Sequence, residues 1–240
     1  MRTFSSVFAV FGLGLTLAAA GDRDSFLESA SDDASNELIA KYVTAIKGND
    51  LSGIKMDAEV EASLPKLKKF GTLSALRTIT KVGRVTWDKL RFSGDNTIKK
   101  EVIARYIQTE QESREDTSKI AINNENYKFK YKGLDTKNNV RVHVFQLSPR
   151  KKAIGLFKGE LWIDPETNLP LREAGELVKS PSIFLKKVQF VREYEIVDGR
   201  AIPRHVESKI NTRVWGSAEV SIHYKNFAKA DDVSFANTTN

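Results

Sequence analysis

Between positions 56 and 64 the chain alternates strictly. Met56, Ala58, Val60, Ala62 and Leu64 fall on one side, and Asp57, Glu59, Glu61 and Ser63 on the other. A period of two is the mark of a strand buried on one face, and Pro65 ends it. The same period predicts two further strands in 73–92, LSALRTITK and RVTWDKLRF, joined near Gly83. A charged, loop-like stretch follows at 111–126. Beyond it Tyr127, Phe129 and Tyr131 alternate with lysines, and strands are predicted over 140–147, 156–163, 169–177, 186–197, 201–212 and 217–227.

The stretch 155–176 centres this series. Two strand-like runs, FKGELWI and LPLREAGE, flank the turn cluster Asp164, Pro165, Glu166, Thr167 and Asn168. Pro165 presets the turn, and the polar side chains can hydrogen-bond local backbone groups. Gly159, Leu161 and Ile163 share one face, while Lys158, Glu160, Trp162 and Asp164 share the other. Asp198-Gly199 is a strong two-residue hairpin signal. Together these predict a long antiparallel meander with one apolar and one wet face.

Two segments break the period. In 34–47, Leu38, Ile39, Tyr42, Val43 and Ile46 recur at helical spacing, with Ser35 or Asn36 to cap the start and Gly48 to end it. In 96–113, Ile98, Val102, Ile103, Tyr106 and Ile107 predict a second amphipathic helix, with Asp95 offered as its N-cap. The expected fold class is therefore mainly β with helices (α+β). It is a curved antiparallel sheet, a half-barrel, closed by two or more amphipathic helices.

The chain ends change the picture of where this domain works. Arg2, the apolar run 7–17 and Ala18-Ala19-Ala20 before Gly21 read as a secretory signal cleaved near Ala20. A membrane span needs about 20 apolar residues, and this run is shorter. Positions 21–35 are acidic and Ser-rich and read as a mobile leader. Positions 36–228 read as a single domain, and 229–240 as a polar tail. There is no cysteine, so disulfides, thiolate metal sites and thiol nucleophiles are excluded. The formal net charge is +7; loss of Arg2 takes one from it. A modest, dispersed excess in an exported protein argues against nucleic acid and leaves an anionic membrane surface or an acidic envelope partner open.

Candidate chemistry is sparse. No G-x-S-x-G, phosphate loop or H-E-x-x-H occurs. Glu193 and Glu195 read as surface carboxylates. His143, His205 and His223 lie on separate predicted strands among polar residues, so they read as solvent-facing, and their spacing suggests no convergence on a metal. No enzyme, metal or cofactor is expected. What stands out is the apolar face itself: Met56, Val60, Phe129, Tyr131, Leu161, Ile163, Phe190, Tyr194, Ile222 and Tyr224 would line one side of the sheet. Either helices fill that side as a dry core, or the sheet curls and leaves an apolar cavity. Arg77 and Arg192 fall in line with it. A buried arginine needs a partner, such as a helix carboxylate or a bound anion, and a slipped register would expose both instead.

The order of elements, the run F-x-G-E-L-W-I-D-P-E-T-x-L-P-L-R-E at 157–173 and the paired FVREYEIVDGRAIPRHVES at 190–208 resemble the periplasmic lipoprotein carrier, or outer-membrane lipoprotein-sorting (LolA/LolB-like), family. The matching signature falls on Gly159 to Asp164 with Arg172-Glu173, and the specific likeness covers about Tyr127 to Phe227. The resemblance implies a half-barrel closed by helices around an apolar cavity for acyl chains. It also implies an internal arginine holding the closed state, a role that no motif assigns to Arg77. It favours the cavity over the dry core, although fold does not fix function. The expected function is an exported envelope binding protein for a lipid or lipoprotein acyl chain, with a filled-core interaction protein as the alternative. In an up-and-down meander, alternate connections share an end. This gathers Arg150, Lys151, Lys152, Lys179, Lys186 and Lys187 with Ile183, Phe184, Leu185 and Trp215, as a rim that contacts a membrane or partner, or as scattered lysines beside a loop whose Phe184 packs into the core.

Overall fold

A computed structural model describes residues 21–112, 117–137, 139–181, 185–213 and 216–229. The expected signal segment at 1–20, Ile183, Phe184, Trp215 and the tail from 230 onward lie outside the described residues. Ten strands form one antiparallel sheet: β1 (Ile54–Leu64), β2 (Lys69–Ile79), β3 (Val85–Gly94), β4 (Tyr127–Lys137), β5 (Val140–Pro149), β6 (Phe157–Ile163), β7 (Pro170–Leu177), β8 (Leu185–Val197), β9 (Arg200–Thr212) and β10 (Ser217–Lys229). Their spatial order is β3-β2-β1-β10-β9-β8-β7-β6-β5-β4. The predicted long meander is present as two runs, β1 to β3 and β4 to β10, which pairing of β1 with β10 joins into one open sheet whose edges are β3 and β4.

The turns obey their residues. Asp164 accepts bonds from the Thr167 backbone N–H (2.8 Å) and hydroxyl (2.7 Å), and Asn168 takes the left-handed conformation that closes the β6–β7 loop. Asp198 and Gly199 both have positive φ, as a two-residue hairpin turn requires. Gly159 and Gly175 face each other across β6 and β7. A Cβ at Gly159 would strike the Ala174 carbonyl oxygen, and one at Gly175 would lie 2.5 Å from the Lys158 carbonyl oxygen. The two backbones approach so closely there that only glycine fits.

Helix α1 (Gly21–Gly48) starts well before the predicted segment, since no Pro or Gly interrupts 22–47, and it ends at the predicted glycine. The chain divides into two compact units, residues 1–37 and 38–240, so the boundary falls within α1. The second predicted helix begins as a π-helical turn (Ile98–Ile103) and continues as α2 (Ala104–Glu112). Asp95 caps it, accepting the Thr97 N–H at 2.7 Å. No helix among the described residues is long and apolar enough to cross a membrane.

The apolar face of the sheet carries two separate cores. One gathers Met56, Val60, Leu73, Trp87, Val220, Ile222 and Tyr224 beneath Ile98, Ile103 and Ile107. The other gathers Tyr127, Phe145, Leu147, Phe157, Leu161 and Ile163 beneath Ile39 and Tyr42 of α1. Each helical segment thus covers one side of the sheet. Closure of the whole face by amphipathic helices, expected above, is not what these contacts describe.

Candidate functional site

The register defines rows of side chains that cross the sheet on its apolar face. One row runs Val60, Ile222, Val206, Arg192, Glu173, Leu161, Phe145, Tyr131. Exposure along it is 1% at Val60, 0% at Ile222 and 8% at Val206, then 43% for the Arg192 side chain, then 7% at Glu173 and 0% at Leu161 and Phe145. The neighbouring row behaves alike: Ala62, Val220 and Leu147 are buried, while Ser208, Phe190 and Gly175 between them are half-buried. Val188, Ile210 and Tyr194 are half-buried too. Among the described residues, then, the apolar face is dry over much of both flanks and half-buried along β8 and, at the β4 edge, at Phe129 and Tyr131. Neither alternative left open by the sequence holds for the whole face.

Arg192 sits in this gap with defined partners. Its Nη1 donates to Glu173 Oε2 at 2.9 Å, and the Tyr194 hydroxyl donates to Glu173 Oε1 at 2.9 Å. The Arg192 guanidinium lies 5.7 Å from the centre of the Phe190 ring. Tyr194 and, after it, Glu173 hold the guanidinium well above its usual range against the cost of burial. Tyr42 of α1 and Tyr106 of α2 both lie within electrostatic range of Arg192, and burial pushes both phenols up, helped by Glu173 at Tyr42 and by Tyr224 and Glu110 at Tyr106. The gap is therefore an apolar wall of Val188, Phe190, Val206 and Ile210 with one neutralised ion pair and a ring of protonated phenols. That arrangement suits an apolar ligand. It places no nucleophile beside a base.

Arg77, the other arginine on this face, is buried and pairs with a helix carboxylate, one of the outcomes the sequence left open. Its Nη2 lies 2.7 Å from Glu110 Oε1, and the Trp87 indole N–H donates to Glu110 Oε2 at 3.0 Å. Burial, the largest single influence, would lower the Arg77 guanidinium, but Glu110 together with Tyr224 and Tyr106 makes the net shift upward. The pair ties α2 to β2 and β3. Arg192, by contrast, takes its carboxylate from the adjacent strand, which no local pattern signals.

The apolar residues named from the sequence all lie on this face. Met56, Val60, Leu161, Ile163, Ile222 and Tyr224 are buried within the two cores, whereas Phe129, Tyr131, Phe190 and Tyr194 are half-buried. Only Phe190 and Tyr194 of these border the gap at β8. Val188, Val206 and Ile210, which the alternation also puts on this face, border it as well, and nothing in the alternation separates a covered apolar position from an open one. The solvent-facing reading of His143 is overturned. His143 stands opposite Ile163 on the apolar face, half-buried, with its Nδ1 2.8 Å from the Tyr131 hydroxyl, and desolvation followed by Arg141 lowers its pKa.

Arg150, Lys151 and Lys152 follow β5, and Lys186 and Lys187 begin β8 at the same end of the sheet. Arg150 directs its Nε to the Asn124 carbonyl at 2.8 Å, and Lys187 pairs with Glu176 at 2.7 Å. On the opposite, polar face a trough of about 790 Å³ crosses from β1 to β6. Its walls are the rows Glu61, Ser221, Glu207, Val191 and Ser63, Glu219, Lys209, Gln189, Glu176, Lys158. Phe70 and the intervening Ala62, Val220, Ser208, Phe190 and Gly175 also line it.

No protein-family model matches the chain, and no curated protein matches it. Solved structures similar to it include a DUF1329 family protein from Desulfovibrio piger, at 13% identity over 81% of this chain and 94% of that one, with a TM-score of 0.43. A LolA superfamily protein from Nitrosomonas europaea is 9% identical over 85% of this chain and 97% of that one, with a TM-score of 0.39. A putative outer membrane lipoprotein-sorting protein domain from Vibrio parahaemolyticus is 10% identical over 81% and 93%, with a TM-score of 0.38. The structural neighbours of this chain thus include LolA superfamily, lipoprotein-sorting and DUF1329 proteins at low sequence identity.

Proposed function

We propose that this chain is an exported envelope protein that binds rather than catalyses, holding a lipid or lipoprotein acyl chain against the apolar face at β8. The observation that carries the reading is the rise in exposure at Phe190, Arg192 and Tyr194 between two buried flanks. A sheet face left open there costs stability unless something apolar covers it, and each acyl methylene buried contributes about 0.8 kcal/mol. Binding of this kind needs no directed polar chemistry, which suits a wall of Val188, Phe190, Val206 and Ile210. The sequence resemblance to lipoprotein carriers points the same way, with the signal segment cleaved near Ala20 and the protein working in the periplasm.

Protein isolated from its native envelope and sprayed intact in a mass spectrometer tests the proposal. Co-purified acyl lipid, lost from a Phe190→Asp variant that still folds, is the expected result. Delipidated protein that takes up no fluorescent fatty acid and carries no native lipid would overturn it, and would favour an interaction protein with a filled core.

A further inference from the structure

Arg192 has more hydrogen-bonding capacity than its own partners use. Its Nη1 donates to Glu173 at 2.9 Å and reaches the Tyr194 hydroxyl at 3.4 Å. The other edge of the guanidinium, Nε with Nη2, has no hydrogen-bond partner among the described residues. Among those residues Ser217 Oγ is the one buried side-chain polar atom without a partner, so this edge of Arg192 is open to water. Glu173 is already engaged, since Arg192 and Tyr194 hold one of its carboxylate oxygens each. Tyr42 of α1 is 2% exposed and lies within electrostatic range of Arg192, Glu173 and Tyr194, and its hydroxyl likewise has no hydrogen-bond partner among the described residues.

We propose, on the reading that an acyl chain lies along β8, that the Nε–Nη2 edge of Arg192 is the head-group subsite of the gap. It takes the carbonyl oxygen of an acyl ester, amide or acid, and so selects acylated lipids over hydrocarbon of the same length. Nε and Nη2 together carry three N–H groups. Covering the gap with hydrocarbon alone would strip water from them and leave donors of a cation unpaired, which costs more than stranding a neutral donor. A carbonyl oxygen placed against the guanidinium fork meets that need, and the Tyr42 hydroxyl is a further donor close by. Because Glu173 already balances the guanidinium charge, the subsite asks for an acceptor and not for a second negative charge. An ester therefore satisfies it as a carboxylate does. Val188, Phe190, Val206 and Ile210 give affinity for any long chain, and Arg192 decides which chain is preferred.

Two probes with the same fluorophore at the tail test it: a long-chain methyl ester, and the alkyl methyl ether of equal length, which lacks the carbonyl. Delipidated wild type should bind the ester at least about tenfold more tightly than the ether. The bound ester, labelled with heavy carbon at its carbonyl, should absorb in the infrared at lower frequency than in an alkane solvent, as a hydrogen-bonded carbonyl does. In the double variant Arg192→Met with Glu173→Leu, which leaves no member of the pair charged and alone, the two probes should bind alike. Equal affinity of wild type for ester and ether overturns the proposal, as does a bound carbonyl at its alkane frequency, and neither reading needs a variant to fold. An ester preference that survives in the double variant overturns it too. Failure of wild type to bind either probe overturns the acyl-binding reading along with the subsite, whereas tight but equal binding of both overturns the subsite alone.

Discussion

Replacing Glu110 by alanine removes the carboxylate that pairs with the buried Arg77 guanidinium. Arg77 has 4% of its side chain exposed, and Glu110 meets it at 2.7, 3.2 and 3.3 Å through Nη2 and Nε. Nη1 is left facing the Met56 sulfur at 3.5 Å, which cannot replace a carboxylate. Breaking a buried pair by deleting one partner costs about 3–5 kcal/mol, out of a total stability of roughly 5–15 kcal/mol. At about 2–4 °C per kcal/mol for a domain of this size, the melting temperature should fall by roughly 6–20 °C. The Trp87 indole N–H loses its acceptor in the same change, so the two effects overlap instead of adding. Urea and thermal unfolding of wild type, Glu110→Ala and the double variant Arg77→Met with Glu110→Leu measure this directly. The double variant should recover more than half of the loss, since no charge is left buried. A Glu110→Ala protein within about 1 kcal/mol of wild type, or a double variant as damaged as the single one, would refute the reasoning.

All six tyrosines are held above the ordinary phenol value, chiefly by burial, with Tyr127 and Tyr224 pushed up to about 12. The unfolded chain ionises near 10, so this stability is present below pH 10 and is lost as pH rises through about 12. Absorbance titration should show almost no phenolate in the folded protein at pH 10, and half-ionisation there without unfolding would contradict it. Gly159→Ala drives a Cβ into the Ala174 carbonyl and should cost about 1–3 kcal/mol or more, whereas Gly48→Ala, with open space around it, should melt like wild type. Leu161→Asp buries a carboxylate with no partner and should unfold the protein; a wild-type melt would reverse the assigned faces. Charge reversal at Lys151, Lys152 and Lys187 should weaken salt-sensitive binding to anionic vesicles by about 1 kcal/mol per residue, and unchanged binding would remove the rim from the account.

Much of the sheet was legible because so many of its strands have one wet face. The run from Met56 to Leu64 announces β1 by period alone, and its burial alternates as the residues do. Pairing of β1 with β10 was not legible, because it joins positions such as Ala58 and Tyr224 that no turn chemistry connects. His205 and His223 face each other across β9 and β10, and this was hidden for the same reason: each lies several residues from the β9–β10 connection, and their alignment depends on its register. Arg77 was readable as falling in line with the apolar face, but the sequence left a helix carboxylate, a bound anion and an exposing register open, and Glu110 is the answer. The gap at β8 was not, since Phe190 follows the same alternation as Ile222. Which apolar position stays uncovered depends on where α1 and α2 lie over the sheet, and their own sequences specify only that each has an apolar side.

The central claim is that an acyl chain lies along β8, and a fatty acid bearing a photoreactive diazirine near its tail tests it most directly. The probe is bound to delipidated protein, irradiated, and its attachment mapped by peptide sequencing. The account predicts labels on Phe190, Tyr194, Val206 and Ile210, competed away by unlabelled fatty acid. Labels confined to the polar trough around Glu207 and Lys209, or labelling no greater than that of the urea-unfolded chain, would contradict it.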